Sequence, residues 1–270
     1  MTEQEYNAAD GIRRSALWRM HESPEKYKWF LEHPEPATPA LVFGSAAHKM
    51  LLEPESFSSE FVIAPDCDKR TKAGKERYER FVAELGDRTI ISQDDFDTIR
   101  DMTDKARSVP YVQKLLAGEH EVPFFWTDED TGERCKVRLD ILADMDGTLT
   151  VADYKTAADA RTDAFIHSMF KLGYTLQAFM YTEAVMKCMG LDERPDFVFV
   201  VQEKKPPFAI NAIQVTDDVM VAGMDAFREY IGLVHECKET GYFWGYNGPF
   251  GEPNETYLPG YVNIGDEKDD

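Results

Sequence analysis

Residues 136–156 read Lys-Val-Arg-Leu-Asp-Ile-Leu-Ala-Asp-Met-Asp-Gly-Thr-Leu-Thr-Val-Ala-Asp-Tyr-Lys-Thr. Apolar residues alternate with other residues on both sides of a turn at Asp144 to Gly147, and this pattern predicts a β-hairpin. Side chains two residues apart on a strand share a face, so Asp153 and Lys155 project together and the hairpin can bring Asp140 beside them. Two carboxylates and one ammonium at one end of a hairpin suit a divalent metal ion that acts on a phosphate.

The length and composition predict one folded domain. The chain has 270 residues, of which 43% are hydrophobic, and no break in composition suggests a linker. We expect a single domain over residues 1–265 and a disordered acidic tail over 266–270. The net charge of -20 argues against indiscriminate coating of nucleic acid or of an anionic membrane, but a local basic channel can still lie on an acidic body.

The four cysteines are far apart and form no Cys-x-x-Cys pair, which argues against a compact zinc site and an iron–sulfur centre. The first residues lack a basic segment followed by an apolar run, and no eighteen apolar residues occur together. We therefore expect a soluble cytoplasmic protein with free thiols and no membrane partner.

Hydrophobic periodicity and turn residues predict alternating helices and strands along the rest of the chain. The predicted elements are a helix from Ser15 to Glu32 capped by Ser15 and broken at Pro24, a helix from Ala40 to Leu52, an amphipathic helix or helix pair from Asp94 to Leu116 broken near Pro110, a strand from Glu121 to Trp126, a long helix from Thr162 to Gly190, two strands at Asp196 to Gln202 and Phe208 to Val215, and a helix from Asp217 to Thr240.

Three features allow a structural and a functional interpretation. A lone helical histidine such as His48 is more often packed or on the surface than a ligand. Tyr174, Gln177 and Tyr181 share one helix face, which could line a cleft or simply pack. The one locally basic stretch contacts nucleic acid or forms a solvated helix face, and its candidate DNA-binding residues are Lys69, Arg70, Lys72 and Lys75.

The order of these motifs resembles the PD-(D/E)xK nuclease superfamily, and within it the RecE-type exodeoxyribonuclease VIII group of phage and prophage recombination exonucleases. The motifs are Gly44-Ser-Ala-Ala-His-Lys-Met-Leu-Leu-Glu-Pro54, Glu121, Arg-Leu-Asp140, Asp153-Tyr-Lys155, and the row of Tyr174, Gln177 and Tyr181. The resemblance implies an α/β (α+β) fold with a restriction-endonuclease-like PD-(D/E)xK core, in which helices flank a central mixed β-sheet.

The resemblance also implies a role for each motif residue. It gives His48 as a metal-binding histidine, Asp140 as the first core carboxylate, Asp153 with Lys155 as the Asp-x-Lys pair, Gln177 and Tyr181 as a catalytic-site helix motif, and Glu121 as an additional acidic position. Asp140, Asp153 and the carbonyl of Tyr154 offer oxygen ligands for Mg²⁺ or Mn²⁺, and His48 would complete the shell. Lys155 would orient or deprotonate the nucleophile, with a pKa lowered by partial burial.

The implied activity is metal-dependent 5′ to 3′ degradation of linear double-stranded DNA, which leaves 3′ single-stranded overhangs for recombination by strand annealing. The implied partners are double-stranded DNA ends, a RecT-type single-strand annealing protein and further copies of the chain in a homo-oligomeric ring. One alternative is a structure-specific endonuclease on the same fold. Another is a non-catalytic nucleic-acid-binding recombination scaffold, and a third is an acidic DNA-mimicking regulator, which would explain the charge but not the metal residues.

Overall fold

The computed structural model describes residues 1, 3–33 and 35–257. The acidic tail predicted over 266–270 lies outside the described residues, and the single-domain boundary at 265 stays a prediction. The α-helices are α1 (Glu3–Ala8), α2 (Arg14–Leu17), α3 (Pro24–Glu32), α4 (Pro39–Leu52), α5 (Phe57–Glu60), α6 (Lys72–Ala83), α7 (Gln93–Ser108), α8 (Pro110–Leu115), α9 (Thr162–Lys171), α10 (Tyr174–Met189) and α11 (Asp217–Thr240). Short 3₁₀ turns cover Trp18–His21 and Pro54–Ser56.

The strands form a central mixed sheet and a separate two-stranded parallel pair. They are β1 (Phe61–Ile63), β2 (Thr89–Ile91), β3 (Glu119–Thr127), β4 (Arg134–Met145), β5 (Thr148–Ala157), β6 (Asp196–Glu203) and β7 (Ile210–Gln214). The five-stranded sheet has the order β3-β4-β5-β6-β7, in which only β5 and β6 are parallel. A mixed sheet flanked by helices is the predicted fold class, and the prediction is confirmed.

Helices cover both faces of the sheet, so β6 is buried on both sides. Phe197 and Phe199 point into one core, and Val198 and Val200 into the other. A strand covered on both faces has a continuous apolar sequence, which is the pattern seen at this strand. Helices α10 and α11 supply the first core, whereas α4, α7 and α8 supply the second. Among the described residues, no helix combines the length and the apolar composition needed to cross a membrane.

The structure divides the long helix predicted from Thr162 to Gly190 into α9 and α10. The break is at Gly173, which has a φ of 67°, a left-handed conformation that glycine adopts without steric cost. A Cβ atom at Gly173 would lie 2.3 Å from the Trp18 ring, so both the backbone and the packing require glycine there. The prediction of one helix was wrong because periodicity continues across the break.

The first predicted helix is also divided. Arg13, not Ser15, occupies the N-cap position of the four-residue helix α2. The longer helix α3 starts at Pro24, and the hydroxyl of Ser23 accepts a hydrogen bond from the backbone N–H of Lys26 at 3.2 Å. Proline at the first helical position needs no hydrogen-bond acceptor, which explains why the chain restarts there.

Candidate active site

The β4–β5 hairpin brings Asp140 and Asp153 opposite each other. The paired register ends at Ile141 with Ala152, and Asp140 and Asp153 are the next residues of the two strands. The backbone N–H of Tyr154 donates to Asp140 Oδ2 at 2.8 Å. The Tyr154 hydroxyl donates to Oε1 of the buried Gln202 on β6. The hairpin prediction placed these carboxylates together, and the structure does the same.

The alternation of side chains along β4 changes phase at Asp140. Leu139 belongs to the core under α10, but Ile141 belongs to the core under α4, although residues two apart normally share a face. Glu121 lies opposite Asp140 on β3, because its neighbours His120 and Val122 pair with Ile141 and Leu139. Glu121 has a φ of 54°, and such strained backbone at a non-glycine residue is concentrated at functional sites.

Helix α4 carries His48 to these two carboxylates. Its Nε2 atom lies 2.9 Å from Asp140 Oδ2, and its Nδ1 atom lies 3.3 Å from Glu121 Oε1. One ligand atom from each of His48, Glu121 and Asp140 lies within 4.8 Å of the others, and we call these three residues the metal group. The buried Ala46 and Ala47 of α4 lie in the core that this helix shares with β5.

Burial and mutual charge shift the pKa values in this group. Burial opposes ionisation of His48, but the Asp140 and Glu121 carboxylates outweigh it and raise its pKa to about 9. Burial raises the pKa of Glu121 to about 7. Burial also opposes ionisation of Asp140, yet His48 and Lys155 hold its pKa below the usual value. In the metal-free protein, an imidazolium therefore neutralises the carboxylates that surround it.

Lys155 lies against Asp153 on the same face of β5, and its ammonium is 2.6 Å from Asp153 Oδ2. Burial by itself lowers the pKa of Lys155, but the charges of Asp153, Tyr174 and Asp140 together outweigh burial and raise it. The predicted lowering of this pKa is therefore wrong for the metal-free protein. Burial and the neighbouring Asp140 charge raise the pKa of Asp153 to about 6.

Helix α10 presents the predicted row of residues to this site. Gln177 is 2% exposed, and its Nε2 atom donates to Asp153 Oδ1. The ring of Tyr174 lies 4.7 Å from the Lys155 ammonium, and Tyr181 lines the same cleft. Asp153 thus has one oxygen against Gln177 and the other against Lys155, and it is not part of the metal group. Its role as a ligand, and that of the Tyr154 carbonyl, stay predictions.

The sequence interpretation missed Arg138, which holds Glu121. Arg138 Nε lies 2.6 Å from Glu121 Oε2, so this carboxylate is placed between a guanidinium and His48. Arg138 precedes Asp140 by two residues in the same motif, and this spacing could have indicated its position near the metal group. Two further cations, Arg13 and Arg14, are also in the cleft wall, and the sequence around them shows no distinctive pattern.

The cleft that contains these groups has a volume of about 610 Å³. Among the described residues, Arg13 and Arg14 have no acidic partner, although Arg14 donates to the Leu172 carbonyl at 3.1 Å and lies 5.7 Å from the Tyr174 ring. These two charges can attract an anionic ligand into the cleft of a chain whose net charge is -20.

The basic stretch that the sequence favoured for DNA binding does not reach the cleft wall in the described part of the chain. Arg70 is exposed and paired with Asp68, and Lys72 extends towards Glu76 at 3.9 Å. Lys69 places its ammonium 3.3 Å from the centre of the Tyr78 ring. DNA binding by this stretch stays a prediction, and any such contact would be made outside the cleft.

The residues of the metal group suit a divalent cation. Glu121 Oε1 is a buried carboxylate oxygen that faces His48 Nδ1 at 3.3 Å, and within the described chain it accepts no directed hydrogen bond. Buried carboxylate oxygens without such bonds are costly unless a cation neutralises them. Carboxylate oxygens are the ligands that Mg²⁺ and Mn²⁺ prefer, and an imidazole favours Mn²⁺.

Comparison with known proteins agrees with this geometry. The sequence matches the family described as "PDDEXK-like domain of unknown function" (DUF3799) over residues 14–248. A crystal structure of a "putative exonuclease" from Eubacterium rectale is 12% identical, covers 96% of both chains and has a TM-score of 0.61, which shows a shared fold.

A second crystal structure, that of SSO0001, is 16% identical and covers 70% of this chain and 85% of its own, but its TM-score of 0.31 is too low to support an argument. No curated protein matches the sequence significantly. The family match includes every residue of the metal group, together with Asp153 and Lys155. The chain therefore belongs to the PDDEXK-like family DUF3799, within the PD-(D/E)xK nuclease superfamily and its restriction-endonuclease-like fold.

Proposed function

We propose that this protein is a metal-dependent exodeoxyribonuclease that degrades linear double-stranded DNA from the 5′ end and leaves 3′ overhangs. One observation carries the proposal: the metal group lies beside the Asp153–Lys155 pair in a cleft that also contains the unpaired charges of Arg13 and Arg14. A phosphodiester hydrolase needs a cation site, a group that orients water and contacts for flanking phosphates, and this cleft offers residues for each.

The residues divide this work by position. His48, Glu121 and Asp140 would hold Mg²⁺ or Mn²⁺, whose positive charge stabilises the phosphoryl oxygens in the transition state. Lys155 lies on the cleft side of Asp153, where its ammonium can orient the attacking water and donate to a phosphate oxygen. Gln177 keeps the Asp153 carboxylate in place and so fixes the side chain against which Lys155 rests.

Flanking phosphates would contact Arg13 and Arg14. Both side chains line the cleft, and the charge of Arg14 reaches Lys155 and Tyr181 strongly enough to lower the pKa of each, although other influences on those groups are larger. Arginine binds phosphate through a planar set of donors and keeps its charge at all working pH values. The acidic remainder of the chain would then direct DNA into the cleft.

The finer parts of the proposal are supported by the resemblance to RecE-type enzymes. They are the 5′ to 3′ polarity, a homo-oligomeric ring around the duplex, cooperation with a RecT-type annealing protein and a cytoplasmic location. The Eubacterium rectale structure, described as a "putative exonuclease", supports the broader assignment to exonucleases.

The decisive experiment uses linear duplex DNA labelled separately at its 5′ and 3′ ends, with a covalently closed circle beside it. Reactions contain Mg²⁺, Mn²⁺ or a chelator. We expect metal-dependent early release of the 5′ label and an intact circle. Nicking of the circle would support an endonuclease instead, and inactivity with both metals would support the scaffold alternative.

Two variants connect the activity to the site. Lys155→Ala should reduce cleavage by about 10²–10⁴-fold, the usual contribution of a proton-transfer group, while Mn²⁺ binding is retained. Lys105→Ala is the matched control, since Lys105 is exposed on α7. Near-normal cleavage by Lys155→Ala would refute the role given to this lysine.

The location of DNA binding is tested by a second pair of variants. Arg13→Ala with Arg14→Ala should weaken DNA binding and reduce its salt dependence, because each lost phosphate contact lowers the slope of log K against log salt by about 0.9. Arg70→Glu with Lys72→Glu tests the basic stretch. A larger loss from the second pair would place the main DNA contacts outside the cleft.

A further inference from the structure

A second cavity of about 750 Å³ lies next to the cleft. Both cavities have Glu3, Glu60 and Phe61 in their walls, so these three residues mark a boundary between them. The metal group and Lys155 lie in the first cavity. The second is lined by the remaining face of α1 and by the segment that leads from α6 into β2.

The charge of the wall changes sign at this boundary. Among the described residues, lysines and arginines outnumber carboxylates in the first cavity by seven to four. The cations are Arg13, Arg14, Lys49, Lys136, Arg138, Lys155 and Lys204, and the carboxylates are Glu3, Glu60, Glu121 and Asp140. In the second cavity, four carboxylates face one arginine, and these residues are Glu3, Glu60, Glu84, Asp87 and Arg88.

Two carboxylates of the second cavity are paired with cations, since Glu60 lies 2.7 Å from Lys49 and Glu3 lies 3.6 Å from Arg138. The negative charge of this cavity therefore comes from Glu84 and Asp87. Arg88 donates to the carbonyls of Leu85 and Glu84 at 2.9 and 2.6 Å, so its hydrogen bonds are directed to the backbone. Glu84 and Asp87 are exposed in the second cavity, and no ion pair is formed by either within the described part of the chain. Their charges are therefore available to repel an approaching anion.

Contacts at both ends of helix α1 hold the helix in place at this boundary. The ammonium of Lys136 donates to the carbonyls of Tyr6, Asn7 and Ala9 at 2.9, 3.3 and 2.6 Å and so holds the C-terminal end of the helix. At the other end, Glu3 Oε1 lies 3.6 Å from Arg138, the residue that holds Glu121. Through Arg138, Glu3 is therefore connected to Glu121 of the metal group.

From this arrangement we infer that the cleft admits a DNA strand from one side only, because the acidic second cavity repels phosphates on the other. The inference rests on the proposed nuclease function and deepens it. A strand bound at the cationic wall cannot continue past the boundary into the second cavity without placing its phosphates against Glu84 and Asp87. Cleavage then requires a strand end at the metal group, which makes the enzyme an exonuclease and excludes internal sites.

The test removes the repulsion outside the catalytic residues. In Glu84→Lys with Asp87→Lys, the second cavity becomes cationic. The matched control is Asp192→Lys with Glu193→Lys, which makes the same charge change at two exposed residues of the loop before β6. Binding is measured in chelator by fluorescence anisotropy, with a single-stranded DNA circle and with a linear strand of the same sequence.

We expect the Glu84/Asp87 variant to bind the circle about tenfold more tightly, against a much smaller gain for the control, because a strand without ends can now pass through both cavities. With Mn²⁺, the variant should also cut the circle, which the wild-type protein should leave intact. An equal gain in circle affinity for the variant and the control would overturn the inference.

The cleavage measurement tests the nuclease proposal, and the binding measurement tests the one-sided cleft. A wild-type protein that binds DNA but does not cut linear DNA would refute the nuclease proposal, while the binding arm would still decide the one-sided cleft. A wild-type protein that binds no DNA would overturn both. If the lysine variant unfolds, Glu84→Gln with Asp87→Asn removes the same charges, and it must raise circle affinity above that of Asp192→Asn with Glu193→Gln.

Discussion

Replacing Gln177 by leucine should impair catalysis strongly and lower the stability of the protein only moderately. Gln177 is 2% exposed, and its Nε2 atom donates to Asp153 Oδ1, while its Oε1 atom is buried without a hydrogen-bond partner. Leucine removes both the favourable and the unfavourable contact at once. Loss of the hydrogen bond lowers the free energy of unfolding, whereas removal of the unpaired Oε1 atom raises it.

The lost hydrogen bond and the removed unpaired amide oxygen nearly cancel. A hydrogen bond to a charged group contributes about 1.5–3 kcal/mol, and a buried polar group without a partner costs about 1–3 kcal/mol. The Asp153 Oδ1 atom is then left buried without a donor, so Gln177→Leu should lower the free energy of unfolding by about 1–3 kcal/mol. Gln177→Ala removes the same contacts but leaves a cavity, and it should lose about 2 kcal/mol or more.

Catalysis should respond differently, because Asp153 loses the donor that orients it. Removing a residue that orients a metal-site carboxylate typically costs about 10–100-fold in activity or metal affinity, and we expect that loss for Gln177→Leu. The assays are urea unfolding in chelator and cleavage of linear DNA with Mn²⁺. A loss of more than about 3 kcal/mol for the leucine variant, or full activity, would refute this reasoning.

Gly173→Ala should destabilise the protein by more than about 2 kcal/mol, because the left-handed φ of 67° costs about 1–2 kcal/mol and the new methyl would collide with the Trp18 ring. Gly132→Ala is its control, since φ is 73° there and nothing lies within 4 Å; equal losses in urea unfolding would contradict the steric argument. The metal-free protein should also lose stability as pH rises, because folding raises the pKa values of His48 and Glu121. The stabilisation from His48 is complete below about pH 6.5 and is lost as pH rises through the folded-state pKa of about 9. The stabilisation from Glu121 is lost between about pH 4.5 and 7. Thermal unfolding in chelator at pH 6 and pH 9 measures this fall, which Glu121→Gln should reduce; a midpoint that rises with pH would contradict the sign.

Local sequence was enough to predict much of the candidate site. The hairpin pattern placed Asp140, Asp153 and Lys155 on neighbouring strands, because side-chain direction in a strand follows directly from residue spacing. The spacing of Gln177 and Tyr181 on a helix likewise predicted a common face, and both residues are in or beside the cleft. These inferences required only the periods of regular secondary structure.

Other features depended on contacts between distant parts of the chain. The break at Gly173 reflects packing against Trp18, which lies far away in sequence. Arg13 and Arg14 enter the cleft because Ile12 forms a bridge with Cys135 and so brings the N-terminal segment beside β4. No local pattern marks such positions, since the forces that create them come from the folded neighbours.

The sequence by itself determined the sheet-and-helix architecture and the chemical types of the metal-site residues, because periodicity and motif order are local properties. Only the tertiary structure decided that Glu121 joins His48 and Asp140, that Arg138 holds it, and that the basic stretch stays outside the cleft. The tertiary structure also decided that the pKa of Lys155 is raised and not lowered. Ion pairs and pKa values depend on burial and on the distances between charges, and the folded chain defines both.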